Sequence, residues 1–244
     1  AEGRLTPEAI CDAFQLPVST FASLPTRFQA SVLGPIPEGW KTSKLREVTT
    51  KIGSGATPRG GSTVYVQEGI ALIRSQNIYD HDFRWEGLVR LTDESAIELN
   101  GVEVRIGDVL FNITGDSILR TCVVDPLVLP ARVNQHVAII RAADGIPPHY
   151  LHLYLVQPRI KSYLLGLNAG ATRQAVTKGH LEAIDVLVPP REILDAYSQT
   201  TTPMFQMIQA NLQQTRTLAK LRDMLLPKLL SGALRMTEIA EAIP

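Results

Sequence analysis

The composition of the chain changes sharply after Pro189-Pro190, and this change limits the possible folds more than any other feature. Residues 191–231 contain no glycine, whereas glycine recurs in the turn-rich segment that precedes them. Glycine is among the weakest helix formers, so its absence over such a stretch predicts helix. Thr202 followed by Pro203 fits an N-cap with proline at the first helical position. The pattern therefore predicts two helices, the second running from residue 203 to about 226.

The segment before this boundary is typical of short strands separated by turn residues. The predicted strands span residues 64–66, 70–74, 102–104, 109–113, 121–124, 137–141 and 184–188. Helices are predicted at 95–99, stopped by Asn100-Gly101, and at 148–163, where Pro158 breaks the pattern. No regular alternation of strand and helix is visible. The sequence thus predicts an irregular β-rich α+β domain followed by a long C-terminal helical spacer.

These patterns divide the 244 residues into one domain with appended elements. We expect an N-terminal leader at 1–32, containing a short helix at about 7–14. The main domain is expected at 33–189, the helical region at 190–235 and a tail at 236–244.

A seam of mostly apolar residues follows the predicted C-terminal helix at the alternating three- and four-residue spacing of a coiled coil. Its members are Phe205, Ile208, Leu212, Thr215 and Ala219. Because the seam spans barely two heptads, a helix packed on its own domain fits the pattern about as well as a helix paired with a partner. A long helix that follows a complete β domain has little left to pack on, which favours the partner.

Charge and cysteine content restrict the classes of function. Lys and Arg together number 24, as do Asp and Glu, whereas nucleic-acid-binding domains are usually basic. Any DNA-binding surface must therefore be a local patch. Two distant cysteines, and no apolar stretch of membrane-spanning length, predict a reduced, cytoplasmic protein.

The sequence contains no recognisable motif for catalysis, metal binding or cofactor binding. The glycine-rich stretch 53–62 fails as a phosphate loop, because Pro58 stands where a dinucleotide fingerprint needs a small residue and Gly61 where a Walker loop needs lysine. His149 and His152 share one helix face, but no further ligands follow at a zinc-site spacing. We therefore expect no catalytic residue, no metal and no cofactor.

Three polar loops, at 74–77, 132–136 and 170–178, carry side chains that can read base edges: arginine for guanine, and Asn or Gln for adenine. In the last loop Thr177 can cap a short helix, which would suit Lys178 to a phosphate. Each loop also has a structural interpretation, since Asn and Gln brace turns. The candidate DNA-facing residues are Arg59, Arg74, Asn77, Arg120, Asn134, Gln135, Arg173, Gln174 and Lys178.

The order of several motifs resembles that of the DNA-specificity subunits of type I restriction–modification systems. The motifs cover roughly residues 33–235 and comprise Leu33-Gly34-Pro35-Ile36-Pro37, Gly53-x-Gly55-Ala56-Thr57-Pro58, Ile73-Arg74-Ser75-Gln76-Asn77-Ile78, Gly107-Asp108-Val109-Leu110-Phe111, Asn134-Gln135-His136-Val137, Gly170-Ala171-Thr172-Arg173-Gln174-Ala175, Val188-Pro189-Pro190-Arg191 and Leu225-Leu226-Pro227-Lys228-Leu229-Leu230-Ser231-Gly232. The resemblance implies a non-catalytic subunit whose target-recognition domain reads double-stranded DNA. It also implies docking to methyltransferase subunits and, through them, to a restriction subunit.

The chain departs from the family pattern in one respect. Family members carry two recognition domains and two helical spacers, whereas this sequence contains one of each. The unmatched helical seam then predicts an antiparallel homodimer that reads a symmetric, split target. The alternative, favoured by the neutral charge, is a helical oligomerisation or protein-interaction module without DNA specificity; salt-dependent DNA binding would discriminate between the two.

Overall fold

A computed structural model describes residues 25–167 and 175–233. The chain divides after Asp195 into two compact units, Ala1–Asp195 and Ala196–Pro244. The leader helix predicted at 7–14 and the tail predicted at 236–244 lie outside the described residues. No helix in the described part of the chain is long and apolar enough to cross a membrane.

The first unit contains fifteen strands among its described residues. In chain order they are β1 (Phe28–Gln29), β2 (Ile36–Pro37), β3 (Lys41–Lys44), β4 (Thr49–Ser54), β5 (Tyr65–Val66), β6 (Ile70–Ile73), β7 (Ile78–Tyr79), β8 (Asp82–Phe83), β9 (Val89–Leu91), β10 (Glu103–Val104), β11 (Val109–Asn112), β12 (Thr121–Val123), β13 (Ala131–Val133), β14 (Val137–Ala142) and β15 (Asp185–Val188). Each of the seven predicted strands coincides with one of these to within one residue at either end, so those predictions are confirmed.

Helices are fewer and mostly short. They are α1 (Asp93–Ile97), α2 (Pro148–Leu155), α3 (Pro158–Leu167), α4 (Lys178–Glu182) and α5 (Arg191–Leu230). The predicted break at Pro158 is confirmed, because α2 ends and α3 begins there. The Thr92 side chain caps α1 by accepting a hydrogen bond from the Ser95 backbone N–H.

Two sheets carry most of the strands. A four-stranded antiparallel sheet has the order β12-β11-β14-β4, and a five-stranded sheet has the order β10-β13-β6-β9-β5. In the larger sheet β13 runs parallel to β6, whereas its other neighbouring pairs are antiparallel. Strand β3 pairs with β15, β7 with β8, and β1 with β2. The predicted β-rich α+β class is confirmed.

Alternate side chains of the four-stranded sheet face two different cores. Val109 and Phe111 of β11 pack in one core with residues of α2, α3 and α4, whereas Leu110 between them packs with residues of β6 and β13. Successive side chains of a strand point to opposite faces. A strand buried on both faces therefore appears in the sequence as a continuous apolar run, as β11 and β14 do.

The long helix differs from its prediction. Instead of two helices separated at Thr202 and Pro203, α5 is continuous, with Pro203 and Pro227 inside it. The φ angle of proline, about −65°, is itself helical. A proline inside a helix therefore removes one backbone hydrogen-bond donor and crowds the preceding turn, but the helix can continue through it. In the turn before Pro203, the hydroxyls of Thr200 and Thr201 donate to the carbonyls of Ala196 and Tyr197.

Candidate nucleic-acid interface

The first polar loop turns one of its candidate residues inward. Asn77 is completely buried: its Oδ1 accepts from the Arg74 backbone N–H at 3.0 Å, and its Nδ2 donates to the carbonyls of Arg84 and Glu86 at 2.9 and 3.1 Å. Asn77 therefore braces the turn, and we remove it from the DNA-facing set. Its neighbour Gln76, which the sequence analysis did not single out, is exposed.

The Arg74 side chain makes contacts within the protein. Its Nη2 donates to the Gly87 carbonyl at 2.6 Å, and its guanidinium carbon lies 5.8 Å from the Tyr65 ring centroid. The Arg74 guanidinium is therefore anchored to the protein through Nη2.

The second polar loop repeats this division between bracing and exposed side chains. Asn134 is buried, and its Oδ1 accepts from the His136 backbone N–H at 3.1 Å, so we remove it from the DNA-facing set as well. Gln135 is exposed, with its Nε2 3.0 Å from His136 Nε2. The other ring nitrogen of His136 lies 2.6 Å from the Thr114 hydroxyl. The exposed part of this loop is thus Gln135 together with the edge of His136.

Gly55 fixes the position of this second loop. Its N–H is shared between the carbonyls of Asn134 and Val137, at 3.1 and 3.2 Å. A Cβ at this position would lie 1.7 Å from the Val133 carbonyl oxygen, so only glycine lets the two backbones approach this closely. The glycine of the 53–58 motif therefore has a packing role beside the candidate interface.

Only part of the third polar loop can be placed. Arg173 and Gln174 lie outside the described residues. The predicted cap is confirmed, because the Thr177 hydroxyl accepts from the His180 backbone N–H at 3.2 Å at the start of α4. Lys178 follows this cap, with its Nζ 3.4 Å from Glu182, and lines a shallow hollow that Arg46 and Lys51 also line.

A cleft brings Gln76 of the first loop and His136 of the second loop together. It is lined by Ser75, Gln76, Tyr79, Thr114, Gly115, Asp116, Ser117, Ile118, Arg120, His136 and Ala175. Arg120 is the one predicted DNA-facing residue among these lining residues. Arg59 does not line the cleft; its side chain is 91% exposed and lies 3.8 Å from Glu98. Lys178 belongs to the separate hollow, so the structure does not gather the predicted set into one site.

Two arginine side chains pack against the Tyr79 ring beside the cleft. The guanidinium carbon of Arg84 lies 3.6 Å from the Tyr79 ring centroid and that of Arg120 lies 4.4 Å from it. Both are within the range of a cation–π interaction. Sequence reasoning missed Tyr79, Asp116 and His136, because their neighbours in the cleft come from distant parts of the chain. The signal available was the run of small polar residues at 114–117.

Asn112 forms hydrogen bonds to the turns on both sides of the cleft. This fully buried residue donates through Nδ2 to the Ser75 carbonyl at 2.9 Å and to the Ser117 hydroxyl at 3.0 Å. The Asn112 backbone N–H also donates to the Arg120 carbonyl at 2.9 Å. One buried amide thus connects the 74–77 turn with the 115–120 turn.

Other polar groups of this unit serve the fold. The buried Asp108 carboxylate accepts from the Arg105 backbone N–H and pairs with Arg141 at 2.7 Å, and this hydrogen bond raises the pKa of Arg141. Burial is the main cause that lowers the pKa of His152 to about 3, and the ring nitrogen Nε2 of His152 lies 2.9 Å from Nδ1 of His81. Among the described residues no group of three or more His, Cys, Asp or Glu side chains could hold a metal ion.

The chain matches no protein-family model. It is 23% identical over 198 residues to the type I restriction enzyme HindI specificity subunit of Haemophilus influenzae, covering 81% of this chain and 42% of that protein. It is 24% identical over 209 residues to the type I restriction enzyme MjaIX specificity subunit of Methanocaldococcus jannaschii, covering 84% and 46%. The chain thus spans about half the length of the curated relatives it matches.

A solved structure shares the fold. The HsdS subunit of Thermoanaerobacter tengcongensis superposes with a TM-score of 0.51 at 20% identity, covering 93% of this chain and 51% of that one. The sequence similarity to the two specificity subunits confirms the resemblance that the order of the motifs indicates, and the solved structure confirms a mixed α+β fold with a long C-terminal helix.

Proposed function

We propose, from the premise that this chain resembles the specificity subunits of type I restriction enzymes over most of its length, that it recognises one half of a bipartite DNA sequence. The observation that carries the proposal is the cleft between the 74–77 and 115–120 turns. Gln76, Arg120 and His136 line it, and these are side chains that donate to or accept from base edges in the major groove.

The charge distribution supports a local binding surface. Overall the chain is neutral, so attraction to DNA must come from clusters of basic residues. Arg84 and Arg120 meet at Tyr79, and Lys51, Arg46 and Lys178 surround the hollow near α4. We assign base reading to the cleft and backbone contact to the hollow, because lysine binds phosphate as a point charge whereas arginine can pair bidentately with a base.

The proposed partners follow from the same premise. We propose that the chain docks methyltransferase subunits, and a restriction subunit through them, in the cytoplasm. It would perform no catalysis and hold no cofactor of its own, since a specificity subunit contributes recognition to an enzyme whose chemistry is carried by other subunits.

The DNA-recognition proposal is tested by titrating a labelled duplex with the purified chain between about 50 and about 200 mM salt. Lys178→Ala is expected to weaken binding equally on all sequences and to reduce the salt slope by about 1, because one phosphate contact is lost. Arg173→Ala is expected to relax base preference as well. Arg105→Gln is the control, because this exposed arginine on the 103–108 turn pairs with Glu103 and lines neither the cleft nor the hollow.

Salt dependence separates this proposal from the alternative. Binding that does not weaken with salt would favour a protein-interaction module, since such a module releases no counterions from DNA. Equal losses on matching and unrelated duplexes for both variants would refute the assignment of Arg173 to bases.

We also propose that α5 pairs with α5 of a second copy to form a homodimer. Its described part exposes large apolar side chains, among them Met204, Met207, Ile208, Leu218 and Leu221. Ile208 belongs to the predicted seam with Phe205, Leu212, Thr215 and Ala219. Leu218 lies beside that seam. An apolar helix face of this kind is stabilised when a partner removes it from water.

Light scattering measures the homodimer directly. The wild-type chain is expected at twice the monomer mass, and a variant with Ile208→Glu and Leu212→Glu is expected at the monomer mass, because two charges enter the apolar seam. Gln206→Glu with Gln213→Glu introduces the same charges on the opposite side of the helix and should leave the dimer intact. A monomeric wild-type chain would remove the predicted symmetry of the target.

A further inference from the structure

Arg120 lines the cleft with its guanidinium beside the Tyr79 ring. The side chain lies against Tyr79, and within the described residues its guanidinium makes no ion pair and no hydrogen bond. Two other arginines of the described residues already have partners, because Arg74 donates to the Gly87 carbonyl and Arg84 pairs with Asp82 at 3.2 Å. Cation–π contact restrains the plane of a guanidinium while leaving its N–H groups available.

The backbone that presents Arg120 is held in an uncommon conformation. The preceding residue, Leu119, has a φ of 68°, in the left-handed region that non-glycine residues rarely adopt. Its side chain is buried in the core, and its N–H donates to the Asn112 carbonyl at 2.8 Å. Strain of this kind persists where the surrounding structure over-determines it, and such residues cluster at ligand-binding positions.

Asp116 lies in the same turn and lines the same cleft. It is exposed and, among the described residues, forms no ion pair. A carboxylate beside an arginine is unfavourable for a phosphate, because it repels the phosphate charge. A G·C base pair presents both complementary groups, since guanine offers the acceptors O6 and N7 and cytosine offers the N4 donor.

We infer that Arg120 and Asp116 together read one G·C base pair of the target. Arg120 donates to O6 and N7 of the guanine, and Asp116 accepts from N4 of the cytosine. Tyr79 is a positioning residue that orients the guanidinium. This inference rests on the proposed DNA recognition and adds to it the base pair and the residues that select it.

The test is a selection from a duplex library with randomised positions, in which bound molecules are sequenced for the full chain and its variants. The wild-type chain is expected to enrich a G·C pair at one position. Arg120→Gln should reduce the preference for that pair by about tenfold or more and shift it towards A·T, because glutamine pairs with adenine. Asp116→Asn should reduce preference at the same position, and preferences at the other positions should persist.

Two further variants separate positioning from folding. Tyr79→Leu should weaken preference at the Arg120 position, whereas Tyr79→Phe should restore it, because the ring that carries the cation–π contact is kept. Arg105→Gln, which lies outside the cleft, should leave the whole profile unchanged. A general folding defect would lower all preferences together and would not be rescued by phenylalanine.

The outcomes distinguish this inference from the function on which it rests. Uniformly weaker binding by Arg120→Gln, with an unchanged base profile and a salt slope smaller by about 1, would make Arg120 a phosphate contact and overturn the inference alone. A wild-type chain that enriches no sequence and binds without salt dependence would overturn the proposed DNA recognition and this inference together.

Discussion

Replacing Gly55 with alanine would place a methyl group where the backbone of β13 and the following loop already lies. The new Cβ would be 1.7 Å from the Val133 carbonyl oxygen and 2.6 Å from the Asn134 carbonyl oxygen, whereas ordinary contact begins at 3.4 Å. Val133 belongs to a strand buried on both faces, so it has no free space into which to retreat. We therefore expect the loop that carries Gln135 and His136 to be displaced.

The cost of Gly55→Ala can be estimated from two contributions. Overpacking of a tight site costs about 1–3 kcal/mol. The shared hydrogen bond from the Gly55 N–H to Asn134 and Val137 contributes about 1 kcal/mol, which would also be lost. The sum, about 2–4 kcal/mol, is a large part of the ~5–15 kcal/mol by which a domain is usually stable.

Gly53→Ala provides the matched control, because Gly53 lies in β4 two residues before Gly55, which follows the end of that strand. Nothing lies within 4 Å of a Cβ built at Gly53, and its φ is not in the left-handed region. Alanine there should be neutral or stabilising by up to about 1 kcal/mol, because it restricts the unfolded chain. Urea unfolding followed by the fluorescence of Trp40 and Trp85 measures both variants, since both tryptophans lie in the first unit.

The two glycine variants should differ in midpoint by about 1–2.5 M urea, for a slope of about 2 kcal/mol per M. Gly55→Ala should also weaken duplex binding more than Gly53→Ala, because it displaces one side of the cleft. Equal losses of stability for both glycines would refute the close-approach explanation.

Two further predictions concern buried polar groups of the first unit. Arg141→Met leaves the buried Asp108 carboxylate without its charged partner and should lower the free energy of unfolding, measured in urea, by about 2–4 kcal/mol. This is less than for a fully buried ion pair, because Arg141 is partly exposed. Adding Asp108→Asn should recover part of the loss, whereas additive losses in the double variant would contradict the pairing. The second concerns His152, whose pKa is lowered to about 3 mainly by burial, so the folded protein keeps it neutral while the unfolded chain takes up a proton below about pH 6.5. Stability should therefore fall with decreasing pH between about 6.5 and 3, by up to about 1.4 kcal/mol per pH unit from this residue, and His152→Gln should flatten that dependence, with a remainder from His149, whose pKa burial also lowers. An unchanged pH dependence in the variant would show that His152 is not the group responsible.

Strands with strong local signals were predictable from the sequence. The mostly apolar runs at 109–113 and 137–141 supply side chains to the cores on both faces of the four-stranded sheet, and each coincides with a strand. In contrast, β4 has the sequence Thr-Thr-Lys-Ile-Gly-Ser and β13 carries the buried Arg132, so neither shows an apolar pattern. Arg132 can be buried because its guanidinium donates to the Ala96 carbonyl and to Asn100. These partners are distant in the sequence, so no local pattern predicts the contacts.

The candidate interface divides in the same way. Residue types identified the polar loops, but burial decided which members face outward. Asn77 and Asn134 have the chemistry of base-reading residues, yet their amides are used to brace the turns on which Gln76 and Gln135 are exposed. A turn needs an internal hydrogen-bonding partner as much as a ligand does, and composition cannot tell the two uses apart.

By itself, the sequence determined features that depend on neighbours within a few residues: the seven predicted strands, the helix break at Pro158, the Thr177 cap, the change in composition after Pro189-Pro190, and the motif order that indicates the family resemblance. The tertiary structure alone decided that Arg120 lies on Tyr79, that Asn112 joins two turns, and that α5 continues through Pro203. Propensity and periodicity act through local backbone geometry. Stacking and burial depend on which distant segments the folded chain brings into contact.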